Sequence, residues 1–237
     1  MGLKPFQFKK FSIAQDVCTH KVGTDGVLLG AWVNVSETDT AILDIGTGSG
    51  LIAIMLAQRT SIRARIDALD IEVQDVQQAK ENVQRSPWPK KISVLYTALQ
   101  QFHPNEQYDL IVTNPPYFVD SLLPPDEKRK RARHAQELSS EDLLKNAVRL
   151  LSKRGRLAVI LPYAEGLHFV KLALKYHLFP QRQSAFRSRS HKPAERLLIE
   201  LSAKGKHQED EEIILYGNGD EWSEQYRRLT CEFYLKA

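Results

Sequence analysis

The run Ala41-Ile42-Leu43-Asp44-Ile45 drives directly into Gly46-Thr47-Gly48-Ser49-Gly50, and Leu51 to Gln58 follows with helical spacing. An apolar run without polar alternation reads as a strand buried on both faces. Glycines at its end permit a tight turn and let a ligand approach the backbone closely. Strand, glycine turn and helix together open a βαβ unit, and the rest of the chain keeps the same rhythm. Ile66 to Ile71 reads as a second strand, and Val73 to Val83 as a helix with Ala79 and Val83 on one face; Trp88-Pro89 closes that unit. Ile92 to Leu95 and Tyr108 to Thr113 follow as strands. Ser139-Ser140-Glu141-Asp142 has N-cap chemistry for a helix carrying Leu143, Leu144, Ala147, Val148, Leu150 and Leu151, with Gly155 as its stop. Leu157 to Leu161 is the next strand, Glu165 to Tyr176 the next helix, and Arg196 to Leu201 and Glu212 to Tyr216 complete a strand-rich end.

This alternation implies a doubly wound α/β fold, with a mostly parallel sheet covered by helices on both faces. The strand-rich end departs from strict alternation, so one antiparallel strand is expected near the C-terminal edge. No composition break divides the chain, and 1–237 is expected to be a single domain, with 1–35 as an N-terminal segment and 36–237 as the core. Segments 118–137, with Pro124-Pro125 and a charge run, and 182–195, polar and basic, read as loops suited to substrate contact.

Charge and cysteine usage narrow the function classes. Cys18 and Cys231 lie near opposite ends without a CxxC or a nearby histidine pair, so neither a disulfide nor a metal framework is expected and a cytoplasmic location fits. Met1 to Phe11 interleaves Lys4, Lys9 and Lys10 with Phe6, Phe8 and Phe11, with no apolar stretch for a signal peptide or membrane span. These rings read first as a cover for the core and second as a platform for stacked bases. Net charge is only +4 over 237 residues, but it is clustered. Lys128 to Arg131 with Arg133 form one basic run, and Arg182, Arg187, Arg189, Lys192 and Arg196 a second, while acids gather at Glu209-Asp210-Glu211-Glu212. Such clusters suit a polyphosphate backbone, although a solvated charged face is the commoner meaning of a charge run.

The glycine loop identifies the ligand more closely. Asp70, at the end of the second strand, stands where an acidic residue holds a ribose diol, and Glu72 is close enough to compete for that role. The dinucleotide fingerprint is GxGxxG; here the spacing is GxGxG, with Asp44 two residues before it. A carboxylate beside the loop repels a pyrophosphate but attracts an ammonium group. That favours the zwitterionic methionine end of S-adenosylmethionine over a nicotinamide dinucleotide.

The fourth strand ends in Asn114-Pro115-Pro116-Tyr117, at the carboxyl edge where ligands of open α/β sheets sit. An amino group conjugated to a ring, or an amide nitrogen, is a poor nucleophile because its lone pair is delocalised. The Asn114 side-chain oxygen and the Pro115 carbonyl can each accept one of its N–H bonds. Two rigid acceptors bias the nitrogen towards a tetrahedral shape and free the lone pair for in-line attack on a methyl group, with no metal. Proline supplies rigidity by fixing φ, and Tyr117 offers a ring face for a planar base.

These residues resemble the class I methyltransferases, in the amino-methylating group marked by [DNS]-P-P-[YFW]. The resemblance implies a seven-stranded Rossmann-like sheet with one antiparallel strand. Lys21 to Gly26, Leu28 to Trp32, Asp44 to Thr60, Ser86-Pro87-Trp88 and the tail Tyr226 to Leu235 are similar, more narrowly, to the bacterial tRNA1(Val) adenine-N6-methyltransferase family. That family modifies the adenosine immediately 3′ of the anticodon. The resemblance implies S-adenosylmethionine as cofactor and tRNA as partner. It places Lys21, Thr24 and Asp25 over the cofactor near its methionine end, and Ala98 and Leu99 beside its adenine. Thr97-Ala98-Leu99 lacks the aspartate that many class I relatives have there.

The expected cofactor set is therefore Lys21, Thr24, Asp25, Asp44, Gly46, Gly48, Gly50, Asp70, Ile71, Ala98, Leu99 and Asn114, and the catalytic set Asn114, Pro115, Pro116 and Tyr117. Phe118, Arg131, Arg133, Arg189, Lys192 and Arg196 are the expected RNA contacts, the charged ones taken as residues of the two basic loops. A second reading of Thr24 and Asp25 is simple N-capping of a helix starting at Gly26. Neither a metal nor a membrane is expected, and the protein is expected to be a monomer. Methylation of guanine N2 in ribosomal RNA or of a protein glutamine amide shares the same amino chemistry. A nicotinamide-dependent oxidoreductase is the alternative from another class.

Overall fold

A computed structural model describes residues 4–115, 138–205, 210–217 and 219–236. A short antiparallel ribbon, β1 (Phe6–Gln7) and β2 (Ser12–Ile13), precedes α1 (Thr24–Trp32). The alternating part follows: β3 (Ala41–Ile45), α2 (Leu51–Arg59), β4 (Arg65–Asp70), α3 (Val73–Arg85), β5 (Ile92–Tyr96) and β6 (Tyr108–Thr113). The C-terminal part holds α4 (Ser140–Leu150), β7 (Leu151–Pro162), α5 (Tyr163–Lys175), β8 (Phe179–Arg187), β9 (Arg196–Ser202), β10 (Glu211–Ile214) and α6 (Glu224–Thr230).

The main sheet has the order β10-β8-β9-β7-β6-β3-β4-β5. Among the described residues only β9 runs against its neighbours, β7 and β8; every other neighbouring pair is parallel. The doubly wound fold with one antiparallel strand is as expected, but among the described residues the sheet has eight strands rather than seven. The extra one is β8, whose residues 182–187 belong to the segment expected to be a loop; only 188–195 connects β8 to β9. Its faces are mostly half-exposed, so it lacks the apolar signature of a buried strand. Pairing on both edges makes it a strand nonetheless, with β9 on one side and β10 on the other.

Alternation within the strands feeds two cores. Ile42, Ile66 and Leu110 face the layer of α1, α2 and α3, where Leu28, Met55 and Val76 are buried. Leu43, Leu69 and Ile111 face the layer of α4 and α5, meeting Leu144 and Phe169. Complete burial of a leucine or isoleucine side chain contributes about 1.5–3 kcal/mol, so this double lining dominates the stability of the sheet. Ser139 caps α4 as its sequence suggests, accepting a hydrogen bond from the Asp142 amide. Gly155 is not the stop of that helix. It lies inside β7, where an added Cβ would come 2.5 Å from the Tyr108 carbonyl oxygen, beside the register shift between β6 and β7.

The two ends of the chain meet on the first core. Phe8 and Phe11 are buried and stack on each other with centroids 4.6 Å apart, and Phe8 also stacks on Tyr234. The Lys9 amide donates to the Phe233 carbonyl at 2.8 Å. The N-terminal rings therefore cover the core, which was the first of their two readings.

Candidate active site

Register brings the sequence motifs onto one rim. Ile45 pairs with Leu69 of β4 on one side and with Thr113 of β6 on the other. Asp70 and Asn114 thus flank the start of the glycine loop. Asp70 in turn pairs with Tyr96, which places Thr97 and Ala98 next along the same rim. Strand order reverses here, β4 lying on one side of β3 and β6 on the other, so the site occupies the switch point of the sheet.

The glycine loop is shaped by backbone strain that only glycine avoids. Gly46 and Gly48 have φ of 68° and 53°, and a Cβ added at either would meet nothing within 4 Å. The space above them is open to a ligand. Gly50, at φ 81°, is the N-cap of α2. Around these turns the loop is tied down: the Thr47 amide donates to the Leu69 carbonyl at 2.9 Å, and the Gly48 amide to Asp70 Oδ2 at 2.8 Å.

Asp44 lies beneath the loop and is completely buried. Its Oδ2 accepts from Thr47 Oγ1 at 2.6 Å and from the Ala53 amide at 3.2 Å. Its Oδ1 is buried without a hydrogen-bond partner among the described residues. Burial pushes the carboxyl up to about 7, against the lowering effect of those two hydrogen bonds. An orphaned buried acceptor of this kind suits a nearby positive charge. Asp70 is also raised by burial, although its carboxylate accepts from the Glu72 and Gly48 amides. Glu72, the competitor for the ribose role, is exposed, whereas Asp70 is 8% exposed and turned into the loop. Ile71 is 42% exposed beside it, an apolar surface at the rim, and Leu99 is buried at the start of a 3-10 turn.

On the other flank Asn114 is half-buried and Pro115 buried; Pro116, Tyr117, Phe118, Arg131 and Arg133, with the expected loop 118–137, lie outside the described residues. Thr113 Oγ1 donates to the Ile45 carbonyl at 2.9 Å, locking the residue before Asn114 to the strand that enters the glycine loop.

Lys21 and Thr24 are exposed, and α1 begins at Thr24 with Gly23 as N-cap and no side-chain cap. The capping reading of Thr24 and Asp25 is therefore incorrect. Asp25 instead meets Arg196 Nε at 2.8 Å.

The expected phosphate contacts are more committed than their sequence suggests. Arg196 is not a loop residue but opens β9 and holds Asp25. Arg189 donates to Asp220 Oδ1 at 2.6 Å and lies over the Tyr216 ring. Arg182 pairs with Glu211, and Arg187 with Glu212. Lys192 is exposed on the 188–195 connection. The acid cluster at the C-terminal edge thus neutralises much of the second basic run within the fold.

Sequence reasoning missed Asn82 and Asp75 of α3. Asn82 is 1% exposed and hydrogen-bonds both Ala14 and Ser49, and Asp75 Oδ1 accepts from the Thr19 amide at 2.8 Å. The available signal was a polar residue on the stripe Val76, Ala79, Val83, where helical period calls for an apolar one.

The rim combines a glycine loop over an orphaned acid, a second acid at the end of the neighbouring strand and an Asn-Pro turn, which together define a class I methyltransferase. Residues 22–177 match the family model of the Methyltransferase small domain. A protein of Parabacteroides distasonis named tRNA1(Val) (adenine(37)-N6)-methyltransferase is 44% identical, over 98% of each chain. Proteins of the same name from Bacteroides thetaiotaomicron and Tolumonas auensis are 43% and 42% identical, over at least 97% of each chain. The chain belongs to this tRNA1(Val) (adenine(37)-N6)-methyltransferase family. Solved structures share the fold at low identity. A predicted O-methyltransferase from Agrobacterium tumefaciens superposes with a TM-score of 0.64 at 15% identity, covering 88% of this chain and 96% of that one. The glycopeptide N-methyltransferase MtfA, complexed with S-adenosylmethionine, does so at 0.55 and 12%, covering 78% and 90%.

Proposed function

We propose that this protein transfers a methyl group from S-adenosylmethionine to N6 of adenosine 37 in tRNA, the base named for its relatives. The observation that carries the reading is the Ile45–Thr113 pairing, which sets Asn114 beside a glycine loop with open space over Gly46 and Gly48. The residues fit the cofactor. Asp70 suits the ribose diol, Asp44 supplies negative potential beneath the loop for the ammonium, and exposed Ile71 with Ala98 and Leu99 forms a rim for the adenine. Lys21, Thr24 and Asp25 close the methionine side in this reading.

When bound, S-adenosylmethionine supplies an electrophilic methyl group on sulfur. The chain's own part is to present the amine. The Asn114 side-chain oxygen and the Pro115 carbonyl accept its two N–H bonds and hold the lone pair towards the cofactor side, while the base stacks on Tyr117. The target base must leave its stack, at a cost of a few kcal/mol. Tyr117, Phe118, Arg131 and Arg133 belong to the substrate side, with Arg189, Lys192 and Arg196 on the neighbouring edge. We place the protein in the cytoplasm as a monomer. Both cysteines are free, and among the described residues no helix is long and apolar enough to cross a membrane and no cluster could hold a metal ion.

The test is mass spectrometry of tRNA nucleosides from a deletion strain, with mapping of any lost N6-methyladenosine. Loss at position 37 of one tRNA is the expected result. Loss confined to ribosomal RNA would refute the tRNA reading and leave the fold in place.

A further inference from the structure

Residues 14–22 connect β2 to α1 without regular structure, yet side chains from α3 and from the segment itself hold them in place. Asn82 Oδ1 accepts from the Ala14 amide at 2.9 Å, and its Nδ2 donates to the Ala14 carbonyl at 2.8 Å and to the Ser49 carbonyl at 2.9 Å. One carboxamide thereby uses both its donors and an acceptor to join the N-terminal segment to the glycine loop. Asp75, about two turns earlier on the same face of α3, takes the Thr19 amide, and Gln15 Oε1 takes the Val22 amide at 2.8 Å.

We propose that Asn82 is a positioning residue for the cofactor site, coupling the segment Ala14–Val22 to the glycine loop so that the two form one binding surface. Ser49 stands between Gly48 and Gly50, the two loop glycines nearest α2, so a bond to its carbonyl limits the freedom that the glycines otherwise allow. Asp70 ends β4 and the same helix follows it with Glu72 as N-cap, so the acid that faces the loop and the amide that fastens it lie on adjoining elements. Past Val22 the chain enters α1, where Asp25 reaches Arg196 at the start of β9. Order in the segment is thus transmitted from the cofactor flank towards the substrate flank. A carboxamide at 1% exposure carries a desolvation cost, and the hydrogen bonds that offset it all go to the segment and the loop.

This rests on the reading that S-adenosylmethionine lies over the glycine loop, and the experiment keeps the two apart. The full-length protein and its Asn82→Ala, Asn82→Asp and Gln15→Ala variants are titrated with S-adenosylmethionine by calorimetry, and methylation of a tRNA transcript is followed against cofactor concentration. Wild-type protein that fails to bind the cofactor overturns the underlying reading. Given wild-type binding, Asn82→Ala is expected to raise the cofactor Kd and KM about tenfold, while kcat at saturating cofactor and the KM for RNA change far less. Asn82→Asp, which keeps the acceptor and loses both donors, is expected to match it. Folded Asn82 variants with a cofactor Kd within about twofold of wild type would overturn the proposal. If they do not fold, Gln15→Ala at its half-buried position decides, with a rise of about threefold expected and none overturning it. Amide hydrogen exchange at Ala14, Thr19 and Val22 in the wild-type protein is expected to slow when S-adenosylmethionine is added.

Discussion

The two flanks of the carboxyl rim are built from different materials. On the flank of the glycine loop, β3 and β4 are short, largely buried strands with β5 as a half-exposed edge, and their connections are fastened by backbone donors and by two acids that face inward. On the flank of the second basic run, β8 and β10 are half-exposed and polar, and they are held by ion pairs between arginines and the acids of the C-terminal edge. Both flanks carry charge, but with opposite consequences. On the first, buried Asp44 keeps one carboxylate oxygen without a partner among the described residues, while Asp70 accepts only from backbone amides. On the second, the cations are largely consumed by the fold. A cluster of like charges in a sequence therefore measures potential partners, and the tertiary structure decides how many are left over.

The sharpest way to test that contrast is at Asn114, where the flanks meet. Asn114→Ala should lower turnover by about 10²–10³-fold, as loss of one preorganised hydrogen-bonding group does, while cofactor Kd stays within a few-fold. Methylation by that variant at the wild-type rate would remove Asn114 from the mechanism. Next, Asp70→Ala should weaken S-adenosylmethionine by about 10–100-fold, because the ribose acceptor and the anchor of the Gly48 amide are lost together; equilibrium binding reads this directly.

Asp44 sharpens the comparison through pH. Its carboxyl lies at about 7 in the folded protein against an ordinary 3.8, so between those values the folded state holds more protons than the unfolded one. This group's contribution to stability is therefore greatest at low pH and falls as pH rises from about 4 to about 7. A cationic ammonium above the loop favours the ionised form, so affinity for S-adenosylmethionine should rise with pH through about 7, with proton release on binding below it. Calorimetry in buffers of different ionisation enthalpy measures that release, and Asp44→Asn should abolish its pH dependence. The smallest effect belongs to the basic edge. Arg189→Ala, already paired with Asp220, should raise the KM for tRNA only about twofold, and Lys192→Ala should flatten its salt dependence by about one phosphate contact. A large loss at Arg189 would show that its ion pair opens to RNA.

The flank of the glycine loop was legible because its signals are local. Buried parallel strands read as unbroken apolar runs, and a turn with positive φ requires glycine at named positions, so Ala41 to Gly50 could be placed from the chain alone. Gly155 misled because glycine ends helices and also fits bulges, and only the approach of the Tyr108 carbonyl distinguishes the two. Asn82 escaped notice because a polar residue on a helix has no meaning until its partners, Ala14 and Ser49, are known.

By itself, then, the sequence determined the alternating α/β architecture, the glycine loop with an acid before it and another on the next strand, and the Asn-Pro turn at the end of β6. Each depends on dihedral preference, apolar period or the chemistry of adjacent residues. Tertiary structure alone decided that β8 is a strand, that Arg182, Arg187, Arg189 and Arg196 are spoken for, and that the N-terminal segment is bound to the glycine loop. Those outcomes depend on pairings between residues far apart in the chain, whose free energy exists only once the sheet has brought them together.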